Sequence, residues 1–372
     1  MIPVSKPSLG KAELAAVEKI FDSGWLGMGS ATAAFEKKVE DFIGVPQVVA
    51  VNTGTSALHI ALDCFDIGPG DEVIVPSMTY AACVQAIIAT GARPVFCECT
   101  SASLLIDIED VRRKITPQAK AIMPVHYCGQ PCDMDALLDL AGRHDLHIIE
   151  DAAHAFGSSY KGKKIGSFGH ATCFSFDPIK TITCGEGGAV ALQDGRIAEK
   201  IRRKRILGID TETWHRYRNK RNWSYAVTMG GFRYHMPNIN AAIGIIQLDK
   251  IHMFIEKRRA ICLDYDCHFS GLRTVAPLEV DYAATVPFMY IVKVFDGRRQ
   301  EFISLLKERG VDTGIHYIPN HVHPYFSDFL RGTLPVTDEI GEQIVTLPLY
   351  YDMTTDDVRR VIDAVCEFEG VS

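Results

Sequence analysis

VVAVNTGTSALHIALDCFDIGPGDEVIVP, residues 48–76, holds one complete strand–helix–strand unit. Val48–Val51 is a short β-branched run, Gly54 breaks it, Ser56–Cys64 places apolar residues at helical spacing, and Glu72–Pro76 is a second β-branched run. Neither run alternates polar with apolar residues, as expected of strands covered on both faces of a mostly parallel sheet. The pattern continues downstream. Strands are predicted at Pro94–Phe96, Ala121–Val125, His147–Glu150, Cys173–Phe176 and Ala189–Leu192, with helices at Tyr80–Thr90 and Met134–His144. This alternation predicts an α/β domain with helices on both sides of the sheet. In such a domain the active site lies at the carboxyl ends of the parallel strands.

Upstream, Lys11–Ser23 reads as an amphipathic helix with Leu14, Val17, Ile20 and Phe21 on one face and Gly24 as its stop. Beyond the strands come a basic stretch (Arg196–Arg205), a polar loop rich in Arg and Trp (Asp210–Ser224) and a helix from about Asn238. The remainder is mixed: a strand near Tyr290–Val294, a helix at Gln300–Arg309 and a last helix from Thr355. The expected division is a large α/β domain over residues 1–250 and a smaller α+β domain over 251–372.

Composition narrows the function classes. The 372 residues are 47% hydrophobic and 23% charged, which excludes disorder, collagen-like repeats and coiled coil. A net charge of −7 argues against a nucleic-acid surface. The most apolar stretch, Ala81–Ala92, is interrupted by Gln85 and Thr90 and is far shorter than the roughly 20 residues of a membrane span. The opening MIPVSKPSLGK does not read as a signal peptide. Eleven scattered cysteines read as reduced thiols in a cytoplasm rather than a disulfide framework. The close pairs Cys97/Cys99 and Cys128/Cys132 lack a matching second pair for zinc.

Four pieces with chemical potential fall at the strand ends. In VNTGTSALHIAL, a strand end, a glycine turn and a helix start with Thr55 and Ser56 can form an anion cup; a plain helix cap is the competing reading. In IIEDAAHAFGSS, Glu150 and Asp151 follow an apolar strand, where a carboxylate needs a partner. Asp151 can hold a protonated ring nitrogen and His154 can reach the same ligand; a helix-terminal acid is the alternative. In CFSFDPIKTITCGEGGAV, Lys180 lies in a loop between two apolar strands, and a lysine at a buried site can act as an imine-forming nucleophile; a solvated loop lysine is the competing reading. Tyr80 offers an aromatic face to a flat ligand, or packs in the core. Together, a cup, an aromatic face, an acid and a lysine are what pyridoxal phosphate requires.

These motifs and their order resemble the DegT/DnrJ/EryC1/StrS family of sugar aminotransferases, of fold-type I. The resemblance runs nearly end to end, through IPVSKPSLGKAEL, SGWLGMG, NTGTSALHIAL, GDEVIVPSMTY, GARPVF, EDAAHAFGS, FSFDPIKTITCGEGG, NINAAIGIIQLDKI, GIHYIPNHVHPYF and LPLYYDMT. It implies pyridoxal 5′-phosphate as cofactor, with Lys180 as the lysine that carries it and moves the proton. It also implies Asp151 as the partner of the ring nitrogen, His154 on the ring hydroxyl, and Tyr80 as the stacking ring. Thr55, Ser56 and Ser175 correspond to the phosphate contacts. The family commonly has Asn-x-Arg before the NINAAIG helix; this chain places Arg233 and His235 there. The resemblance implies that Arg233 reaches the cofactor phosphate of a partner subunit, while His235 replaces the arginine implicated in gripping the donor carboxylate. Tyr317, His321 and Gly27 fall in segments that line the family's substrate pocket. The loop His215–Arg221, flanked by Trp214 and Trp223, reads as a sugar-nucleotide contact or a solvated loop. The H-x-H of His321 and His323 has no nearby carboxylate in sequence to complete a metal site.

The expected protein is thus a cytoplasmic, obligately homodimeric aminotransferase. It would take an amino group from L-glutamate to a nucleoside-diphosphate-linked keto sugar, chiefly a 4-keto-6-deoxy sugar, with no membrane or nucleic-acid partner. A 3-keto sugar nucleotide or a free cyclic ketone is the alternative substrate. A cofactor-binding regulator without turnover is the alternative class.

Overall fold

The computed structural model describes residues 1–210 and 225–370, so the His215–Arg221 loop with Trp214 and Trp223 lies outside the described residues. The central sheet has seven strands: β1 (Gln47–Val51), β2 (Glu72–Pro76), β3 (Arg93–Cys97), β4 (Ala119–Ile122), β5 (His147–Asp151), β6 (Ala171–Ser175) and β7 (Gly188–Leu192). Their spatial order is β1-β7-β6-β5-β4-β2-β3. The strands β3, β2, β4, β5 and β6 pair in parallel, whereas β7 pairs antiparallel with both β6 and β1. Six strands therefore point one way, and Val51, Pro76, Asp151 and Ser175 end at one edge.

The continuous apolar runs have the physical role the sequence assigns them. Every residue of β2, β6 and β7 is buried, because helices cover both faces. The connecting helices are α3 (Gly54–Cys64), α4 (Ala81–Ala89), α5 (Ile108–Lys114), α6 (Met134–His144) and α7 (Gly195–Lys204). They are preceded by α1 (Lys11–Ser23) and α2 (Ser30–Ile43) and followed by α8 (Asn238–Asp249).

Helix α1 departs from expectation. Its bounds and its left-handed Gly24 cap agree with the sequence, but Leu14 and Phe21 are 70% and 59% exposed. The residue it buries is Glu13, which accepts hydrogen bonds from Gln247 (2.8 Å) and from Lys250 at the end of α8. A buried carboxylate is tolerable only when it is partnered, so this cluster docks the helix and leaves Leu14 and Phe21 outward, with Val17 and Ile20 half-buried.

The second layer is a three-stranded antiparallel sheet of β8 (Val275–Pro277), β9 (Tyr290–Val294) and β10 (Ile344–Leu347). It packs with α9 (Ile251–Phe269), α10 (Arg299–Glu308), α11 (Pro335–Gln343) and α12 (Thr355–Glu369). Ile2 pairs with Val311 and enters this C-terminal core, so the chain start belongs to the second layer rather than to the large sheet. Among the described residues, no helix is long and apolar enough to cross a membrane.

Candidate active site

The turn from β1 into α3 forms the cup. Thr53 caps α3: its hydroxyl oxygen accepts the Ser56 N–H at 3.0 Å and lies 2.8 Å from the Ser56 hydroxyl. Ser56 and Ser175 are buried and Thr55 is exposed. The first turn of α3 carries no acidic residue, which leaves its positive dipole end free for an anion. Two glycines allow the closure. A Cβ on Gly188 would stand 2.3 Å from the Thr53 carbonyl oxygen, and one on Gly54 would stand 2.8 Å from the Ser175 Cβ.

The two acids at the end of β5 have different fates. Glu150 is sealed inside: its oxygens accept from His126 Nε2 (2.8 Å), Gly169 N (2.8 Å) and Thr172 Oγ1 (2.6 Å). His126 Nδ1 in turn accepts the Cys132 N–H at 3.0 Å, which places the imidazole proton on Nε2. Asp151 lies at the strand end. Its Oδ1 accepts the Ala153 N–H at 2.9 Å and its Oδ2 accepts the Cys83 thiol at 2.7 Å.

Lys180 stands in the loop between β6 and β7, its ammonium 4.2 Å from the centre of the Phe288 ring. Burial lowers its pKa from 10.5 to about 8, against the opposing pull of Asp151 and Asp177. His154 stacks on the same ring: its imidazole lies 4.3 Å from the Phe288 phenyl at 18°. Its Nε2 is 3.0 Å from the Tyr317 hydroxyl. Burial, then Lys180 and His316, push its pKa well below the usual value, so the ring is neutral. His154 Nδ1 is buried without a hydrogen-bond partner, a costly state unless a ligand supplies one. Tyr80 is 60% exposed, with its ring 5.5 Å from that of Tyr317, so it is not a core residue.

The other candidates lie differently. Both ring nitrogens of His321 are engaged, by the Ser77 hydroxyl (2.7 Å) and by Asp338 (2.7 Å), which leaves none for a ligand. That histidine anchors the chain instead, together with Asn320, whose amide donates to the Ser77 and Thr79 carbonyls. Gly27 is exposed and its carbonyl accepts the Asn238 N–H at 3.1 Å, at the start of α8. His235 bridges to Val51 at the end of β1, with Nδ1 buried and unpartnered. Burial, Arg233 and Arg205 push its pKa down, so it is a neutral imidazole rather than a cation. Arg233 is exposed two residues before it. Sequence reasoning overlooked two neighbours of this group, Phe288 and Cys83, whereas His316 falls in the GIHYIPNHVHPYF segment already matched to the substrate pocket. Phe288 lies in a stretch without a motif. Cys83 carried a signal in its place, one helical turn after Tyr80.

A model of the DegT/DnrJ/EryC1/StrS aminotransferase family matches residues 7–366. The chain belongs to this family. It is 38% identical to the spore coat polysaccharide biosynthesis protein SpsC of Bacillus subtilis, over 98% of this chain and 96% of that one. Among solved structures, the sugar aminotransferase CalS13 from Micromonospora echinospora matches with a TM-score of 0.90 and 30% identity, over 99% of this chain and 100% of that one. The PLP form of Spr1654 from Streptococcus pneumoniae matches with a TM-score of 0.92 and 27% identity, over 99% and 98%. DegT/StrS-type proteins are sugar aminotransferases with pyridoxal 5′-phosphate as cofactor, and that cofactor is assigned to this chain as well. The residues present fit it: an anion cup, an acid at a strand end, a lysine of lowered pKa and an imidazole nitrogen lacking a partner.

Proposed function

We propose that the protein transfers an amino group from L-glutamate to a keto sugar carried on a nucleoside diphosphate, chiefly a 4-keto-6-deoxy sugar. The carrying observation is Lys180: its pKa is lowered to about 8, and Asp151, His154 and the α3 cup stand at the same sheet edge. When bound, the cofactor supplies an electron sink for the charge left on the substrate carbon. Lys180, neutral in part near pH 8, would hold the cofactor and then take and return a proton at that carbon. Asp151 would keep the ring nitrogen protonated, and His154 Nδ1 would meet the ring hydroxyl. Ser56, Ser175, Thr55 and the α3 N-terminus would hold the phosphate. Tyr80 would cover the ring, and Tyr317, bonded to His154, would border the substrate. Gly27 borders the same cleft in this reading, whereas His321 acts only as an anchor.

The donor site follows from His235. A neutral imidazole offers a carboxylate one N–H rather than a charged fork, so His235 would hold a donor carboxylate less firmly than an arginine. We assign Arg233 to the cofactor phosphate of a partner subunit in a homodimer. The outward Leu14 (70% exposed) and Phe21 (59%) of α1 support such an assembly. All eleven cysteines are free thiols, which supports a reducing cytoplasm.

The test is an absorbance spectrum of the purified protein during addition of L-glutamate, then of 4-keto and 3-keto sugar nucleotides and an inosose. A yellow band that bleaches with glutamate and returns with a 4-keto sugar nucleotide is the expected result. Return only with a 3-keto nucleotide or the free ketone overturns the substrate assignment. A yellow protein unmoved by glutamate overturns the donor, and one that never takes up the cofactor overturns the whole reading.

A further inference from the structure

The thiol of Cys83 has no place in the function just described, yet it makes the closest side-chain contact of the central acid. Cys83 lies in the first turn of α4, three residues after Tyr80, and is fully buried. Its sulfur is 2.7 Å from Asp151 Oδ2 and 3.3 Å from the Thr79 hydroxyl. Burial and the neighbouring Asp151 push the thiol pKa well above its usual value, so the group stays protonated. A thiol has one hydrogen, and the carboxylate can only accept. The S–H therefore points at Asp151, and the Thr79 O–H donates to the sulfur. The other carboxylate oxygen is held by Ala153 N–H. Each oxygen of Asp151 thus carries one protein donor, and the plane of the carboxylate is set before any ligand arrives.

We propose that Cys83 is a positioning residue for the cofactor: the Thr79–Cys83–Asp151 relay fixes the Asp151 carboxylate in the orientation that meets the ring nitrogen. A thiol is a weak donor. It orients the carboxylate through one directed contact and leaves the Asp151 charge facing the ring nitrogen. An apolar residue of similar size fills the same space and leaves the carboxylate free to turn. The inference rests on Asp151 being the ring-nitrogen partner.

Cys83→Ala, Cys83→Val and Cys83→Ser separate orientation from packing, because Val keeps the volume without the donor and Ser restores the donor. The readouts are pyridoxal phosphate dissociation and the pH midpoint of the visible band. Ala and Val are expected to weaken cofactor binding roughly tenfold, the scale of one hydrogen bond to a charged group, and to move the midpoint. Ser is expected to stay close to wild type in affinity. Wild-type behaviour of Ala and Val, or failure of Ser to rescue, overturns the proposal. Should Ala and Val not fold, the infrared S–H band of the wild type, taken against Cys83→Ser, decides. A band at strongly hydrogen-bonded frequency that moves on cofactor binding is expected; a free-thiol band that does not move refutes it. A wild type that takes up no cofactor would sink the reading of Asp151 itself, whereas a wild type that takes it up, with Ala and Val variants that bind it equally well, sinks only the role of Cys83.

Discussion

Removing the cofactor exposes the property of Lys180 on which the chemistry depends. In the apoprotein its amine titrates near 8 rather than 10.5, because burial disfavours the ammonium more than Asp151 and Asp177 favour it. At one decade per pH unit, the neutral fraction at pH 7 is then about 10%, against about 0.03% for an ordinary lysine, a gain of roughly 300-fold. Trace acetylation of the apoprotein from pH 6 to 10, with mass-spectrometric quantification of the peptide holding Lys180, measures this directly. Modification should climb tenfold per unit up to about pH 8 and then level off, while surface lysines continue to climb past pH 10. Asp151→Asn supplies the sign test. The carboxylate favours the ammonium, so its loss must move the Lys180 midpoint below the wild-type value. A wild-type midpoint near that of the surface lysines would refute the burial argument, and an upward shift in Asp151→Asn would refute the assignment of Asp151 as its stabilising neighbour.

Three further outcomes are expected. Lys180→Ala should lose the visible band while still binding pyridoxal phosphate, read by spectrum and by equilibrium dialysis; retention of both band and turnover would reassign the lysine. His126→Ala should cost about 3 kcal/mol in urea unfolding, because Glu150 loses a donor in a site where both side chains are fully buried. Stability within error of wild type would show that water replaces the imidazole. Gly188→Ala should cost about 2 kcal/mol and weaken cofactor binding, since the new Cβ meets the Thr53 carbonyl at 2.3 Å and must push the cup open. Unchanged affinity would remove the phosphate from that turn.

The strands and their shared end were legible because continuous β-branched runs report burial on both faces, a property of each segment alone. The helix Met134–His144 agrees residue for residue with the sequence reading for a similar local reason: Asp133 caps its start. Helix α1 was legible in extent but not in orientation. Its apolar residues lie on one face, yet the buried side is chosen by Glu13 and its partners Gln247 and Lys250, more than two hundred residues away.

The same division runs through the site. Sequence alone determined the residue types at the strand ends, because the glycine turn, the acid, the imidazole and the lysine occur in an order that the family motif requires. Only the tertiary structure decided which of the adjacent acids Glu150 and Asp151 is sealed by His126 and which is held by Cys83. Side chains alternate across a strand, and what waits on either side comes from other elements. It likewise decided that His321 is an anchor while Tyr317, four residues earlier, meets His154. It lowered the pKa of Lys180 to about 8 through burial in a site that includes the Phe288 ring. Desolvation depends on everything packed around a group, so no local pattern in the chain records it.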